Sequence, residues 1–460
     1  MSGFPILLMS LLSLLAAFGL LLTGCTTDSA VTSPEASPDR YALAASYSAA
    51  HAGDALLVWE RGALVVETGQ NGFDLADPHM LASGTKTFAG VAALAAIADG
   101  TLSPDARLAE TLTAWQDDPQ KSQVTLRQLL HLTSGLSTEV GQAPSFREAL
   151  KAPLVDAPGT AFRYGPTAFQ VFGALLRETL GGEDPLAYYQ CRVFDPLGIT
   201  ASGWGRVDGS DPQLAGGARM TAHDWLRFGR MLLNGGTWNG QTILPPEPMD
   251  MLTTPTEASP GYGWGVWLNA TVDPEAPFFD HTPPSLQPDG PNGMIYNDGP
   301  SDLYMAAGLF NQRLYVIPSR EMVVVRFGRA DAGWNDAEFL ARLLNGTEYD
   351  APAAPSASLD ERVARATRLY MQRLDETLSL TEAQEAAIRP LVTQRLRVLL
   401  TFREETEDAG RWKRLREGRR LRDELESIDR AIKAELSDEQ VDAYRALQEA
   451  QRERMRAQRQ

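Results

Sequence analysis

Ser83 and Lys86 stand three residues apart in Ser83-Gly84-Thr85-Lys86, at the head of an apolar stretch that runs to Ala98. On a helix, positions i and i+3 share a face, so the lysine amine can reach the serine hydroxyl. The positive end of the helix dipole disfavours a protonated lysine there and pushes Lys86 toward its basic form. The unpaired N–H groups of a first turn can also receive an anionic oxygen. A Ser–Lys pair so placed can run acyl transfer without histidine. The spacing alone is a weak signal. Its context adds weight, because the pair opens a helix directly behind an expected hairpin.

A second stretch, Pro158-Gly159-Thr160-Ala161-Phe162-Arg163-Tyr164-Gly165-Pro166, delivers a tyrosine from a turn just before an apolar helix expected over Ala168–Leu180. A tyrosine hydroxyl near a lysine amine can carry protons to and from a serine. A turn tyrosine packed on a core has the same sequence, so this stretch gains meaning only beside the first. The five histidines form no pattern with metal-ligand spacing, and neither a metal nor a cofactor is expected.

These residues need a scaffold. Asp54–Trp59 and Ala63–Thr68, flanking Arg61-Gly62, read as a β-hairpin. Ser83–Ala98 reads as a helix stopped by Asp99-Gly100. Residues 125–245 read as mainly helical, broken by Gly and Pro. Leu314–Ile317 and Met322–Phe327 form a second hairpin across Pro318-Ser319-Arg320-Glu321, and Trp334–Leu344 closes the region as a helix. A hairpin near each end with helices between implies an antiparallel sheet with strands from both ends of the domain. The fold class is therefore α/β (α+β): an antiparallel sheet flanked by helices, a mostly helical part, and then an all-α tail.

The chain has 460 residues, 43% of them apolar, which is enough for more than one core. The net charge of −17 argues against nucleic acid as a partner. Residues 356–460 hold 22 basic and 21 acidic residues, which leaves 20 basic against 38 acidic before them. That asymmetry marks a boundary, and Ala351-Pro352-Ala353-Ala354-Pro355-Ser356 reads as the linker across it. In the tail, Thr381-Glu382-Ala383-Gln384 and Ser437-Asp438-Glu439-Gln440 are both capping boxes. Leu421, Leu425, Ile428 and Ile432 make one apolar stripe, and Pro390 should kink its helix.

At the other end, residues 4–22 are almost wholly apolar and close on Leu22-Thr23-Gly24-Cys25. This reads as an export signal. Its ending resembles a bacterial lipobox, which implies lipidation of Cys25. Thr26 after the cysteine then implies the outer membrane of a Gram-negative cell, facing the periplasm. Residues 25–45 read as a tether. Cys191, the second of two cysteines, is expected as a buried small apolar residue without a disulfide.

Residues from about 50 to 346 resemble the serine β-lactamase-like superfamily, and within it the class C-like branch of esterases, amidases and 6-aminohexanoate-dimer hydrolases. Ser83-Gly84-Thr85-Lys86 falls on the nucleophile motif, Leu129-Leu130-His131-Leu132-Thr133-Ser134-Gly135-Leu136 on the loop after it, and Tyr164 on the tyrosine motif. Gly216-Gly217-Ala218-Arg219-Met220-Thr221 and Leu233-Asn234-Gly235-Gly236 match the helical region, and Ala307-Gly308-Leu309 the last active-site strand. The resemblance implies that Ser83 is the acyl-accepting nucleophile, Lys86 its base and Tyr164 the proton relay. It implies an oxyanion hole from the backbone N–H groups of Ser83 and Leu309, with His131 and Ser134 structural.

Two positions depart from the penicillin-recognising members. Pro166 stands where they carry Asn, and Ala306 where they carry Lys or His. Loss of that cation removes a partner for a substrate carboxylate and leaves room for uncharged esters or amides. Tyr262, Trp264 and Trp267 read either as walls of an apolar acyl pocket, with Ala306 and Gly308, or as core packing. The tail motifs Leu380-Thr381-Glu382-Ala383-Gln384 and Leu436-Ser437-Asp438-Glu439-Gln440 resemble the paired LTxxQ motif of small periplasmic stress and chaperone proteins.

The expectation is a signal peptide (1–24), a tether (25–45), a hydrolase domain (46–350), a linker (351–358) and a helical domain (359–460). The enzyme would act on a small-molecule ester or amide, anchored to the membrane through Cys25 and not a true β-lactamase. The alternative is an inactive binding or envelope-stress-sensing protein, with a protein partner on the tail helices.

Overall fold

The computed structural model describes residues 39–272, 278, 282, 287–288, 293–349, 358–406 and 411–457. The expected export signal, Cys25 and most of the expected linker lie outside the described residues. Six strands form the central sheet: β1 (Gly53–Glu60), β2 (Ala63–Gly69), β3 (Trp267–Leu268), β4 (Tyr304–Gly308), β5 (Gln312–Ile317) and β6 (Met322–Gly328). Their order is β3-β4-β5-β6-β1-β2, and every neighbouring pair is antiparallel. Strands from both ends of the domain thus meet at β6–β1, where Leu57 pairs with Val325. The first hairpin turns at Arg61 and Gly62, both at positive φ, which glycine adopts without cost.

The helices of this domain that bear on the site are α1 (Arg40–Ala50), α2 (Lys86–Ala98), α3 (Thr167–Thr179), α4 (Ala222–Leu233) and α5 (Asp336–Asn345). Gly229 lets α4 approach the sheet closely, since a Cβ there would stand 2.6 Å from Val323 and 2.7 Å from Leu314. α1 and α5 pack on each other, and α5 stacks Phe339 on Tyr315 of β5. Side chains alternate across a strand, so Leu314 meets α4 on one face and Tyr315 meets α5 on the other. α2 runs through the middle of the domain and is buried from Lys86 to Ala96.

Three features differ from the sequence reading. The tether expected through residue 45 gives way to α1 at Arg40. Asp39 caps it by accepting the Tyr41 N–H at 3.0 Å, and Ala44 and Ser48 are buried. Alanine and serine at i, i+4 spacing make a weak apolar signal, and this hid the helix. Residues 125–245 hold helices, but also the strands Gly203–Trp204 and Ala218–Met220; the second is the middle strand of a small sheet, between Gly203–Trp204 and His79–Met80. Cys191 is exposed rather than buried. Tyr189, Val193, Phe194 and Leu197 take the inward face of that helical stretch, and Cys191 falls on the outer one.

The tail holds α6 (Leu359–Leu378), α7 (Glu382–Thr406), α8 (Arg411–Ala434) and α9 (Asp438–Ala457). Its own core gathers Met371, Leu374, Ile388, Val392, Ile428, Ile432 and Tyr444. Both capping boxes form. Thr381 Oγ1 accepts the Gln384 N–H at 3.3 Å and Gln384 Oε1 accepts the Thr381 N–H at 3.1 Å. Ser437 and Gln440 repeat the exchange at 3.3 and 3.0 Å. The two glutamines then meet: Gln384 Nε2 donates to Gln440 Oε1 at 2.8 Å, and Gln440 Nε2 returns a bond at 3.3 Å. No helix among the described residues is long and apolar enough to cross a membrane.

Candidate active site

A 3₁₀ turn, Ala82–Thr85, carries Ser83 into α2, so the α-helix itself begins at Lys86. Ala82 sits at φ 46°, a conformation that costs a non-glycine residue about 1 kcal/mol or more and recurs at functional turns. The turn is held from outside. The Leu81 N–H donates to the Ala218 carbonyl at 3.0 Å, and the Ala218 N–H donates to Thr85 Oγ1 at 3.2 Å.

Lys86 Nζ stands 2.9 Å from Ser83 Oγ and 3.1 Å from the Ala215 carbonyl oxygen. It also lies 4.7 Å from the centre of the Tyr164 ring and 5.6 Å from that of Phe169 on α3. Its side chain is only 3% exposed, whereas Ser83 is half-buried. Burial lowers the Lys86 pKa to about 7, because the charged amine is cut off from water. A neutral amine at 2.9 Å can accept the serine proton.

Tyr164 is buried, and burial raises its pKa to about 12; its hydroxyl interacts with the Ser83 hydroxyl and the Trp267 indole, which oppose that rise. It therefore stays protonated at neutral pH, and of the two candidates Lys86 is the standing base. The Tyr164 ring stacks on Trp267 at 5.4 Å and meets Tyr262 edge-on at 6.0 Å. The segment leading to it is pinned to the turn after the short helix Leu126–Leu130: the Gly159 N–H donates to the Thr133 carbonyl at 2.7 Å and the Arg163 N–H to the Leu132 carbonyl at 2.8 Å. Pro166 precedes α3 at its first turn, where a missing N–H costs nothing.

The end of β4 closes the other side. Ala306 pairs with Leu314 and Ala307 with Arg313, so Ala306 shares the α4 face and Ala307 faces α5. No cationic side chain therefore occupies the position of Ala306. A Cβ on Gly308 would stand 2.1 Å from the Leu81 carbonyl oxygen and 3.1 Å from the Gly84 nitrogen. The backbone of β4 thus abuts the nucleophile turn, and Leu309 follows at once.

Of the two readings of the aromatic residues, core packing is the one their burial fits. Tyr262, Trp264 and Trp267 are all buried in the core. The Trp264 indole nitrogen lies 3.1 Å from His131 Nδ1, which also lies 2.9 Å from the Arg127 carbonyl oxygen, and His131 Nε2 lies 2.9 Å from the Thr254 carbonyl oxygen. The Trp264 carbonyl lies 2.0 Å from where a Cβ on Gly90 would be, so Trp264 supports α2 rather than facing Ser83. Tyr262 meets the ring of Tyr164, and Trp267 meets both its ring and its hydroxyl. Two parts escaped the sequence reading. The Ala215 carbonyl carries no side-chain signal. The buried group on β5 and α5, in which Arg313 pairs with Asp336 at 2.7 and 3.0 Å, pairs residues 23 positions apart. Among the described residues no group of His, Cys, Asp and Glu could hold a metal ion.

Residues 39–345 match the beta-lactamase family. The chain belongs to that family. A lovastatin esterase from Penicillium rubens is 32% identical over 160 residues, which is 28% of this chain and 40% of the fungal protein. Among solved structures, SurE with D-Leu gives a TM-score of 0.52 at 22% identity, covering 69% of this chain and 79% of that one. A D-stereospecific amidohydrolase from Streptomyces gives 0.51 at 17% identity, covering 67% and 100%. The solved structures show a shared fold, and the chain spans about two fifths of the fungal esterase's length. The family match ends before the tail helices.

Proposed function

We propose that this protein is a serine hydrolase that cleaves uncharged esters or amides through an acyl-enzyme on Ser83. The observation that carries the proposal is the buried Lys86 amine, with a pKa near 7, 2.9 Å from Ser83 Oγ. As Oγ attacks the substrate carbonyl, its proton passes to Nζ. The oxyanion accepts from the N–H groups of Ser83 and Leu309. Tyr164 gives its phenolic proton to the leaving oxygen or nitrogen and regains one from the Lys86 ammonium. Water then attacks the acyl-enzyme, losing its proton to the same relay, and Ser83 is restored.

The lack of a cation at Ala306 supports neutral substrates over those bearing a carboxylate beside the scissile bond. The 32% identity to an esterase supports ester chemistry, although that match covers 40% of the fungal protein. The cysteine ending of the leader supports export and lipid anchoring at Cys25, and the paired glutamine motifs support a protein-binding role for the tail.

The test is intact-mass spectrometry after exposure to a fluorophosphonate, with Ser83→Ala as control. One adduct, absent from the variant, is the expected result. Folded protein without an adduct would favour the binding or stress-sensing reading, with function in the tail.

A further inference from the structure

The loop from β4 to β5, Leu309-Phe310-Asn311, holds an unusual shape; of its own side chains, Asn311 donates from Nδ2 to the Asp331 carbonyl at 3.0 Å. Phe310 and Asn311 both sit at φ 63°, and Leu309 and Phe310 are 43% and 40% exposed. Two consecutive non-glycine residues in the left-handed region relax unless something outside them fixes the backbone.

What fixes it is a set of side-chain donors aimed at its carbonyls. Arg313 Nη1 donates to the Gly308 carbonyl at 3.2 Å. Gln312 Nε2 donates to the Phe310 carbonyl at 3.0 Å and lies 3.4 Å from the Leu309 carbonyl. Arg326 Nη1 donates to the Asn311 carbonyl at 2.8 Å. Each donor is itself anchored. Gln312 bonds both backbone groups of Gly328, at 2.7 and 3.1 Å. Arg313 is paired with Asp336, which also accepts from Tyr315 and Trp334. Arg326 lies 3.7 Å over the Trp334 ring and bonds Ser48 Oγ at 3.2 Å. All three side chains are buried.

We propose that Gln312, Arg313 and Arg326 are positioning residues for the oxyanion hole, with Arg313 foremost. This rests on the reading of Ser83 as nucleophile and of the Leu309 N–H as an oxyanion donor. The Gly308 carbonyl and the Leu309 N–H belong to one planar peptide unit. A guanidinium bonded to the carbonyl therefore fixes the direction of the N–H. It also draws electron density toward the oxygen and makes the N–H a stronger donor. Such preorganisation matters when charge develops on the substrate oxygen, and much less when the neutral substrate binds.

Any hairpin must satisfy its carbonyls, so the test has to separate positioning from folding. Arg313→Lys keeps a cation for Asp336 but loses the guanidinium branch on Gly308. Gln312→Met keeps the size of the side chain and removes its donors. Both are to be assayed as full chains on a neutral ester, beside Ser83→Ala. The expected result for Arg313→Lys is a fall of about 10- to 100-fold in kcat with KM within about twofold. Binding of a boronic acid that mimics the tetrahedral intermediate should weaken by the same factor as kcat/KM, and thermal unfolding should move little. Gln312→Met should show the same pattern in smaller measure. Folded variants with wild-type kcat overturn the proposal. So does a failure of both variants to fold, because the cradle would then be core alone. Wild-type hydrolysis by Ser83→Ala is a different result: it removes the nucleophile reading itself, whatever Arg313 does.

Discussion

Gly308 and Leu81 meet backbone to backbone: a Cβ on Gly308 would stand 2.1 Å from the Leu81 carbonyl oxygen. Real Cβ atoms do not approach so closely, so Gly308→Ala must push β4 away from the nucleophile turn. We expect at least a 100-fold loss of kcat/KM, since a shift of about 1 Å at the reacting centre costs that much. Destabilisation should be about 1–3 kcal/mol, as for other overpacking changes, read from urea unfolding. Activity close to wild type would mean that the strand end is not part of the site.

Lys86 sets two pH dependences. Its folded pKa of about 7 lies below the ordinary lysine value of 10.5, and burial is the cause. kcat/KM for a neutral ester should rise with pH up to about 7 and then level off, because only the neutral amine accepts the Ser83 proton. Lys86→Ala should abolish the acyl adduct. For stability the sign is opposite to that of an ion pair. Between about 7 and 10.5 the unfolded chain binds the proton that the folded chain has released, so stability rises with pH there, by up to about 1.4 kcal/mol per pH unit. The penalty is complete below pH 7. Lys86→Met should therefore stabilise the fold more at pH 6 than at pH 9, as read from melting curves at the two values.

Tyr164 should matter in proportion to the basicity of the leaving group. Its pKa of about 12 keeps it protonated, so it acts by donating. Tyr164→Phe should lower kcat by about 10²- to 10⁴-fold on an alkyl ester, the usual worth of a general acid. It should cost much less on a nitrophenyl ester, whose leaving group needs no proton. Equal losses on both would argue that the ring, and not the hydroxyl, is what the site uses.

In the tail, Gln384 serves its own helix cap and also bonds Gln440, at 2.8 Å. Gln384→Leu should remove a cap and an interhelical bond together, destabilising the tail by about 1–2 kcal/mol. Hydrogen exchange resolved by peptide should show faster opening of α6, α7 and α9, with ester hydrolysis unchanged.

Much of this site was legible in the sequence because its chemistry sits on local spacings. Ser83 and Lys86 are three residues apart, and their 2.9 Å contact follows from one turn of backbone. The hairpins were equally plain, since alternation and turn residues are short-range signals. What the sequence hid is long-range. Lys86 reaches the Ala215 carbonyl across 129 positions, and a carbonyl has no residue type to announce it. Trp264 read either as a pocket wall or as core, because a tryptophan in a glycine-rich loop has the same spelling whether it faces a ligand or His131. The helix α1 was missed because small residues can bury a face without looking apolar.

The burial of α2 on every side has a consequence for how the enzyme would fail. Segments with exposed backbone and few apolar contacts open by themselves, far below the free energy of whole-molecule unfolding. α2 is the reverse: from Lys86 to Ala96 it has no solvent face, so the base is rooted in the last part of the chain to come apart. In a urea titration, hydrolysis and the fluorescence of the buried tryptophans should disappear together, with no inactive but folded species in between.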